Sequence, residues 1–147
     1  MHASNSAQQQ SAECYVIAKL NEELRLNLKQ SALKLTDTVC VQVDGLDDAS
    51  KTLCEVYARI GKLKGSQPDK IASDILKMQL IAQKMDGDWR KIIGFCDEDA
   101  ASALLGKSWL AEVARSFDIE VRVVDLPQRY RKRLTDAQAR QKMVNAT

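Results

Sequence analysis

At 147 residues the chain suits one domain, with enough material to bury a core without disulfide or metal staples. A formal charge of +2 excludes the strongly basic balance by which a whole chain marks a nucleic-acid partner. No apolar run reaches the length of a membrane span and the start lacks a basic-then-apolar signal pattern, so the expected location is cytoplasmic.

Met1 to Gln10 (MHASNSAQQQ) is polar and without periodicity, and reads as a flexible arm ahead of a single domain over residues 11–147. A helix is expected from about Ser11, with Val16, Ile17, Leu20, Leu24 and Leu28 as its buried stripe. Ala32 to Leu35 suggests a short strand. Val39, Val41 and Val43 then alternate with Cys40, Gln42 and Asp44, the pattern of a strand with one apolar face. Gly45 to Ser50 (GLDDAS) has turn chemistry. In the strand that follows, Leu53, Glu55, Tyr57 and Arg59 share one face, and Cys54, Val56, Ala58 and Ile60 the other.

Gly61 to Gly65 (GKLKG) is a basic loop. Pro68 and Asp69 open a helix to about Met85, with Ile71, Ile75, Met78, Ala82 and Met85 inward and Lys70, Asp74 and Lys77 in one sector at its edge. Lys91 to Cys96 (KIIGFC) is a continuous apolar run, the mark of a strand covered on both faces. Asp97 to Asp99 can cap a short helix stopped by Gly106, and Ser108 can cap another over Trp109 to Phe117. Ile119 to Val124 is a further strand, and Gln128 to Val144 a basic helix broken near Thr135. The first half reads as a meander and the second as a βαβ unit, which together give an α/β fold: a mixed central sheet with helices on both faces.

Four cysteines stand in apolar surroundings without paired spacing, which argues against a zinc site or a disulfide framework. Gly106-Lys107-Ser108 lacks the earlier glycine of a phosphate loop, because residue 101 is Ala. His2 is the one histidine, so no His-based triad can form, and Cys96-Asp97 has no base to serve it. Asp44 and Glu55 remain. If their strands pair as a hairpin, the two carboxylates lie on one face of adjacent strands and repel unless a cation or a proton sits between them. Glu55 also stands among Leu53, Cys54, Val56 and Tyr57, where a central strand would desolvate it and demand a partner. The bland alternatives are a turn-opening Asp44, a solvated Glu55 and a charge ladder on an exposed helix edge.

A helix with a glutamate (SAECYVIAKLNEEL), an aspartate at a strand end (VQVDG) and a glutamate on the next strand (CEVYAR) resemble the PD-(D/E)xK nuclease superfamily, the restriction-endonuclease-like fold. The likeness covers residues 11–125. It implies a hydrolase of DNA phosphodiesters, with Asp44 and Glu55 as catalytic and metal-binding carboxylates, Glu13 as a further metal ligand, and magnesium or manganese as cofactor. Members of the family carry a lysine two positions after the glutamate. Residue 57 is Tyr, so the resemblance implies a displaced lysine, Lys77 first and Lys62 second. Lys62 and Lys64 with Gln67, and the tail residues Arg129, Arg131, Lys132 and Arg133, are the expected nucleic-acid contacts. Leu76 and Leu80 form a second apolar strip that suits a homodimer. The rivals are a non-catalytic DNA- or protein-binding module of the same fold, with Glu55 and Lys77 as a buried ion pair, and a small regulatory α/β domain using Asp97 or Asp125.

Overall fold

The computed structural model describes residues 3–146. Its elements run α1 (Ala3–Leu24), β1 (Lys29–Lys34), β2 (Cys40–Asp47), β3 (Thr52–Tyr57), α2 (Gln67–Lys84), β4 (Arg90–Phe95), α3 (Glu98–Leu105), α4 (Trp109–Ser116), β5 (Ile119–Val123) and α5 (Gln128–Ala146). The expected α/β class with a mixed sheet is what forms. The five strands lie in chain order, β1-β2-β3-β4-β5. β1 pairs with β2 and β2 with β3 antiparallel, whereas β3 with β4 and β4 with β5 run parallel. β3 is therefore the hinge of the topology, with a hairpin partner on one side and a crossover partner on the other. All six of its residues are buried.

Each face of the sheet carries its own core. On one, Leu53, Tyr57, Ile93 and Phe95 pack with Ile71, Ile75, Met78 and Ile81 of α2 and with Ala101, Leu104, Leu110 and Ala114 of α3 and α4. On the other, Cys54, Val56 and Ile92 pack with Ala12, Val16 and Leu20 of α1 and Leu134 of α5. The alternation along β3 thus directs Glu55, between Leu53 and Tyr57, toward α2. α1 comes close to the sheet because two glycines let it. A Cβ at Gly45 would stand 3.0 Å from Leu28 Cβ and 3.1 Å from Ile17 Cδ1, and one at Gly94 would stand 3.1 Å from Val16 Cγ1.

Several expectations change. Residues 3–10, read as a flexible arm, are the first turns of α1: Ala, Gln and Ser carry no breaker, and a helix does not need an apolar stripe to extend from one that has it. Met1 and His2 lie outside the described residues. The helix stops at Leu24 because Arg25 takes φ +55°, and Leu28 is buried by the loop, where Asn21 bonds both its N–H and its carbonyl. The hairpin turn falls at residues 48–51 rather than from Gly45. Asp47 accepts from Ser50 N–H and also from Asn27 N–H, which ties the hairpin to the loop before β1. α5 is continuous through Thr135, whose hydroxyl bonds back to the Arg131 carbonyl and so has no need to open the helix. Cys14 and Cys40 are exposed, Cys54 and Cys96 buried, and all four are free.

Asp97 stands at the N-cap position of α3 as expected, but its carboxylate bonds elsewhere: Gly61 N–H at 2.8 Å and the Arg131 guanidinium at 2.7 Å. One buried side chain thereby joins the end of β4, the loop after β3 and the start of α5. Gln138 repeats the tie farther along α5, accepting from Ile60 N–H and donating to its carbonyl.

The close approach at Gly45 makes a simple test of the packing. Gly45→Ala should lower unfolding free energy by about 1–3 kcal/mol through overpacking, read as a fall in the urea midpoint at unchanged m-value. An unchanged midpoint would mean that α1 can move off the sheet freely.

Candidate active site

Between β1 and β2 the register slips: Lys29 pairs with Leu46 but Ser31 with Val43, so two steps of β1 face three of β2. The extra residue lies at Asp44–Gly45 and forms a bulge, the device by which a strand re-aims a side chain. Both neighbours, Val43 and Leu46, belong to the core on the α2 side, while Gly45 faces Leu28, Ile17 and Cys54 on the α1 side. β2 and β3 stay paired from Asp47 and Thr52 up to Gly45 and Cys54. The next pair would be Asp44 with Glu55. Here the ladder ends, and Asp44 Oδ2 takes the Val56 N–H at 2.8 Å in place of a backbone carbonyl. The two strands fork at the two carboxylates.

Glu55 is 4% exposed, and Lys77 Nζ of α2 lies 3.1 Å from its Oε1. Apart from this ammonium no donor among the described residues faces Oε1, and the Tyr57 hydroxyl two positions on has no hydrogen-bond partner among them. Such groups are rare in folded proteins and mark places where something polar belongs. Asp74, also buried, lies 3.9 Å from Lys77 and 3.4 Å from Lys70, so one sector of α2 lays Lys70, Asp74 and Lys77 over the glutamate. Burial, then the charges of Asp44 and Asp74, push the Glu55 carboxyl up to about 8 against the pull of Lys77. Glu13, on α1, is pushed up to about 7 by burial and Asp44, with Lys70 opposing. Burial also raises Asp74. Each of these groups feels Asp44, so α1, the fork and α2 form one electrostatic cluster. A cleft of about 450 Å³ opens on the α1 side of this cluster, lined by Glu13, Cys14, Ile17, Gln30 and Asp44 among others, with Glu55 and Lys77 behind its wall rather than in its lining.

The sequence-derived residues therefore separate into two places. Glu55 and Lys77 meet directly, joined by Asp74 and Lys70, which the sequence offered only as helix-edge charges, while Asp44 at the fork and Glu13 on α1 lie within electrostatic reach of them. Lys62 is not beside Glu55. With Lys64 and Gln67 it lines another cleft, and Gln67 Oε1 accepts from Lys64 N–H. In the basic tail, Arg131 is committed to Asp97 and the Cys96 carbonyl, Lys132 pairs with Asp136, Arg129 lies over the Tyr130 ring, and Arg133 is exposed. Burial opposes ionisation of Asp97, but Arg131 and the Gly61 N–H hold it below the usual carboxylate range. Leu76 and Leu80 are 66% and 37% exposed.

As a cation site the cluster is partial. Among the described residues no three acidic, histidine or cysteine side chains already converge as a metal cage. The donors at hand are hard oxygens, which suit magnesium rather than zinc, and the Glu55 Oε1 already faces the Lys77 ammonium. Among the described residues no helix is long and apolar enough to cross a membrane. No family model, curated protein or solved structure matches the chain, so its chemistry is read from its own side chains.

The raised carboxyls have a measurable consequence. The folded protein holds protons on Glu13 and Glu55 that the unfolded chain, titrating near the ordinary value of 4.5, has already released. These two groups therefore contribute stability that is complete below about pH 4.5 and is lost as pH rises toward 7 and 8. Urea unfolding without divalent metal should show the decline, and Glu55→Gln should flatten it and leave the protein more stable than wild type at pH 8. A wild-type profile flat across that window would contradict the burial of Glu55.

Proposed function

We propose that the chain is a metal-dependent nuclease of the PD-(D/E)xK kind that hydrolyses DNA phosphodiesters in the cleft at the β2–β3 fork. The observation that carries this is Glu55: an acid on the innermost strand, opposite the Asp44 fork, with a lysine from the following helix against it. The order of elements, a helix with Glu13, then a meander with Asp44 and Glu55, then a helix with Lys77, supports the same reading. A displaced lysine fits the geometry, since Lys77 reaches Glu55 from α2 while Tyr57 occupies the usual lysine position.

Asp44 and Glu55 are the residues that would hold magnesium or manganese. Bound there, the ion supplies a polarised phosphate oxygen and a more acidic water. Asp44 has a second task, because its grip on the Val56 N–H fixes the backbone next to Glu55 and so the direction of that carboxylate. Lys77, freed from Glu55, is placed to offset negative charge on the phosphate as it becomes five-coordinate. Glu13, with a pKa raised to about 7, can hold or release a proton near neutral pH at the mouth of the cleft. A homodimer through Leu76 and Leu80 and a cytoplasmic setting belong to the same proposal.

The second reading has its own observation. The Glu55–Lys77 pair at 3.1 Å already balances the buried charge, which suits a binding module that keeps the fold without a metal. Three measurements separate the two. Magnesium or manganese should raise the melting temperature and release protons near pH 7, as a metal displaces them from Glu55 and Glu13. Plasmid should be nicked only with metal present, with a loss on the order of 100-fold or more for Glu55→Gln and Lys77→Ala, the scale of losing one charge-stabilising group. DNA binding that persists with no thermal shift, no proton release and no nicking would favour the binding module instead.

A further inference from the structure

The second cleft, about 540 Å³, lies between the β3–α2 loop and the outer half of α5. Arg59, Lys62 and Lys64 enter it from the loop and Lys142 from α5, with Gln67, Thr135, Gln138 and Asn145 between them. No carboxylate lines it. None of its four cations has an ion pair among the described residues, whereas Lys19, Lys51, Lys70, Lys77, Arg90, Arg115, Arg122, Arg131 and Lys132 all do. Four like charges gathered in one concavity without acids raise the local potential and concentrate anions there.

The walls are held firmly. Gln138 bonds both backbone groups of Ile60, and Asp97 takes the Gly61 N–H and Arg131, so loop and helix cannot separate without breaking buried contacts. Gly61 and Gly65 turn the loop at φ +96° and +56°, a path that other residues rarely follow. The cleft is close in the chain to the acidic cluster: Arg59 follows Glu55 by four residues, about 13 Å at most along extended chain, and Gln67 opens the helix that carries Lys77.

We infer that this cleft is the phosphate track of the protein, holding the sugar–phosphate backbone of a nucleic-acid strand on Arg59, Lys62, Lys64 and Lys142 so that it leads to the β2–β3 fork. The inference rests on the nuclease reading for its substrate class, but on separate residues. The polar lining is largely held by the protein's own backbone, Gln138 by Ile60 and Thr135 by Arg131, so the charges carry the contact, as suits a surface that positions a backbone without reading bases. The tail segment Arg129–Arg133 has a smaller part than its charge suggests, since Arg131 and Lys132 are already paired.

The test is binding of the full chain to a labelled duplex of about 20 base pairs in EDTA, by fluorescence anisotropy between about 50 and 200 mM salt. The variant Arg59→Gln/Lys62→Gln/Lys64→Gln/Lys142→Gln should reduce the slope of log affinity against log salt by about 3 to 4, roughly 0.9 for each phosphate that is no longer neutralised. If the fourfold variant does not fold, Arg59→Gln/Lys142→Gln and Lys62→Gln/Lys64→Gln should each remove about half of that. An unchanged slope overturns the inference, as does binding of tripolyphosphate by a wild-type chain that ignores DNA. Metal-dependent nicking with an unchanged slope sinks the track and leaves the nuclease standing. A reduced slope in a protein that never nicks supports the track and sinks the nuclease.

Discussion

A carboxylate on the innermost strand of a sheet is the constraint around which this molecule is arranged. Glu55 has buried neighbours on both sides in the chain, a parallel strand along one edge and an antiparallel one along the other. Leaving it charged there is costly, and Lys77 from α2 offsets that cost only in part, because burial, Asp44 and Asp74 still raise the carboxyl. A change at this position alters the charge balance of Glu55, Lys77 and Asp74 together.

The fork depends on a second local departure from regular structure. A regular β2 would have offered Asp44 as one more ladder residue. The bulge instead lets its carboxylate replace a strand carbonyl as acceptor for Val56 N–H. Two acids then stand where two strands part, and a helix lies to either side: Glu13 on α1 and Asp74 on α2 both sense the same aspartate. Acidic groups are thus concentrated at the fork and basic ones in the cleft beyond Arg59. A nearly neutral chain separates its charges in space rather than in sequence.

Much of this was legible beforehand because it follows from short periods. The two-residue alternation places Glu55 with Leu53 and Tyr57, and the wheel of α2 places Lys70, Asp74 and Lys77 in one sector, so their shared helix edge could be read without coordinates. What could not be read depends on partners remote in the chain. The bulge exists only relative to β1. Asp97 looks like an ordinary cap until Arg131, thirty-four residues later, takes its oxygen. Arg59 and Lys142 have no local pattern that unites them. Residues 3–10 lack a stripe, so periodicity was silent on a helix that propagates from the turns behind it.

The two faces of the sheet differ in which helices close them. The α2 side is covered by α2, α3 and α4, which all precede β5. The other side needs α1 and α5 together, the first and last helices, which meet through rings such as Tyr15 and Tyr130 at 5.1 Å. Without α5 the apolar flank of Val56, Ile92 and Val124 would lack the cover of Leu134. The same helix carries Lys142 to the loop after β3. The second core and the basic cleft therefore share one element, and a change that unseats α5 removes both.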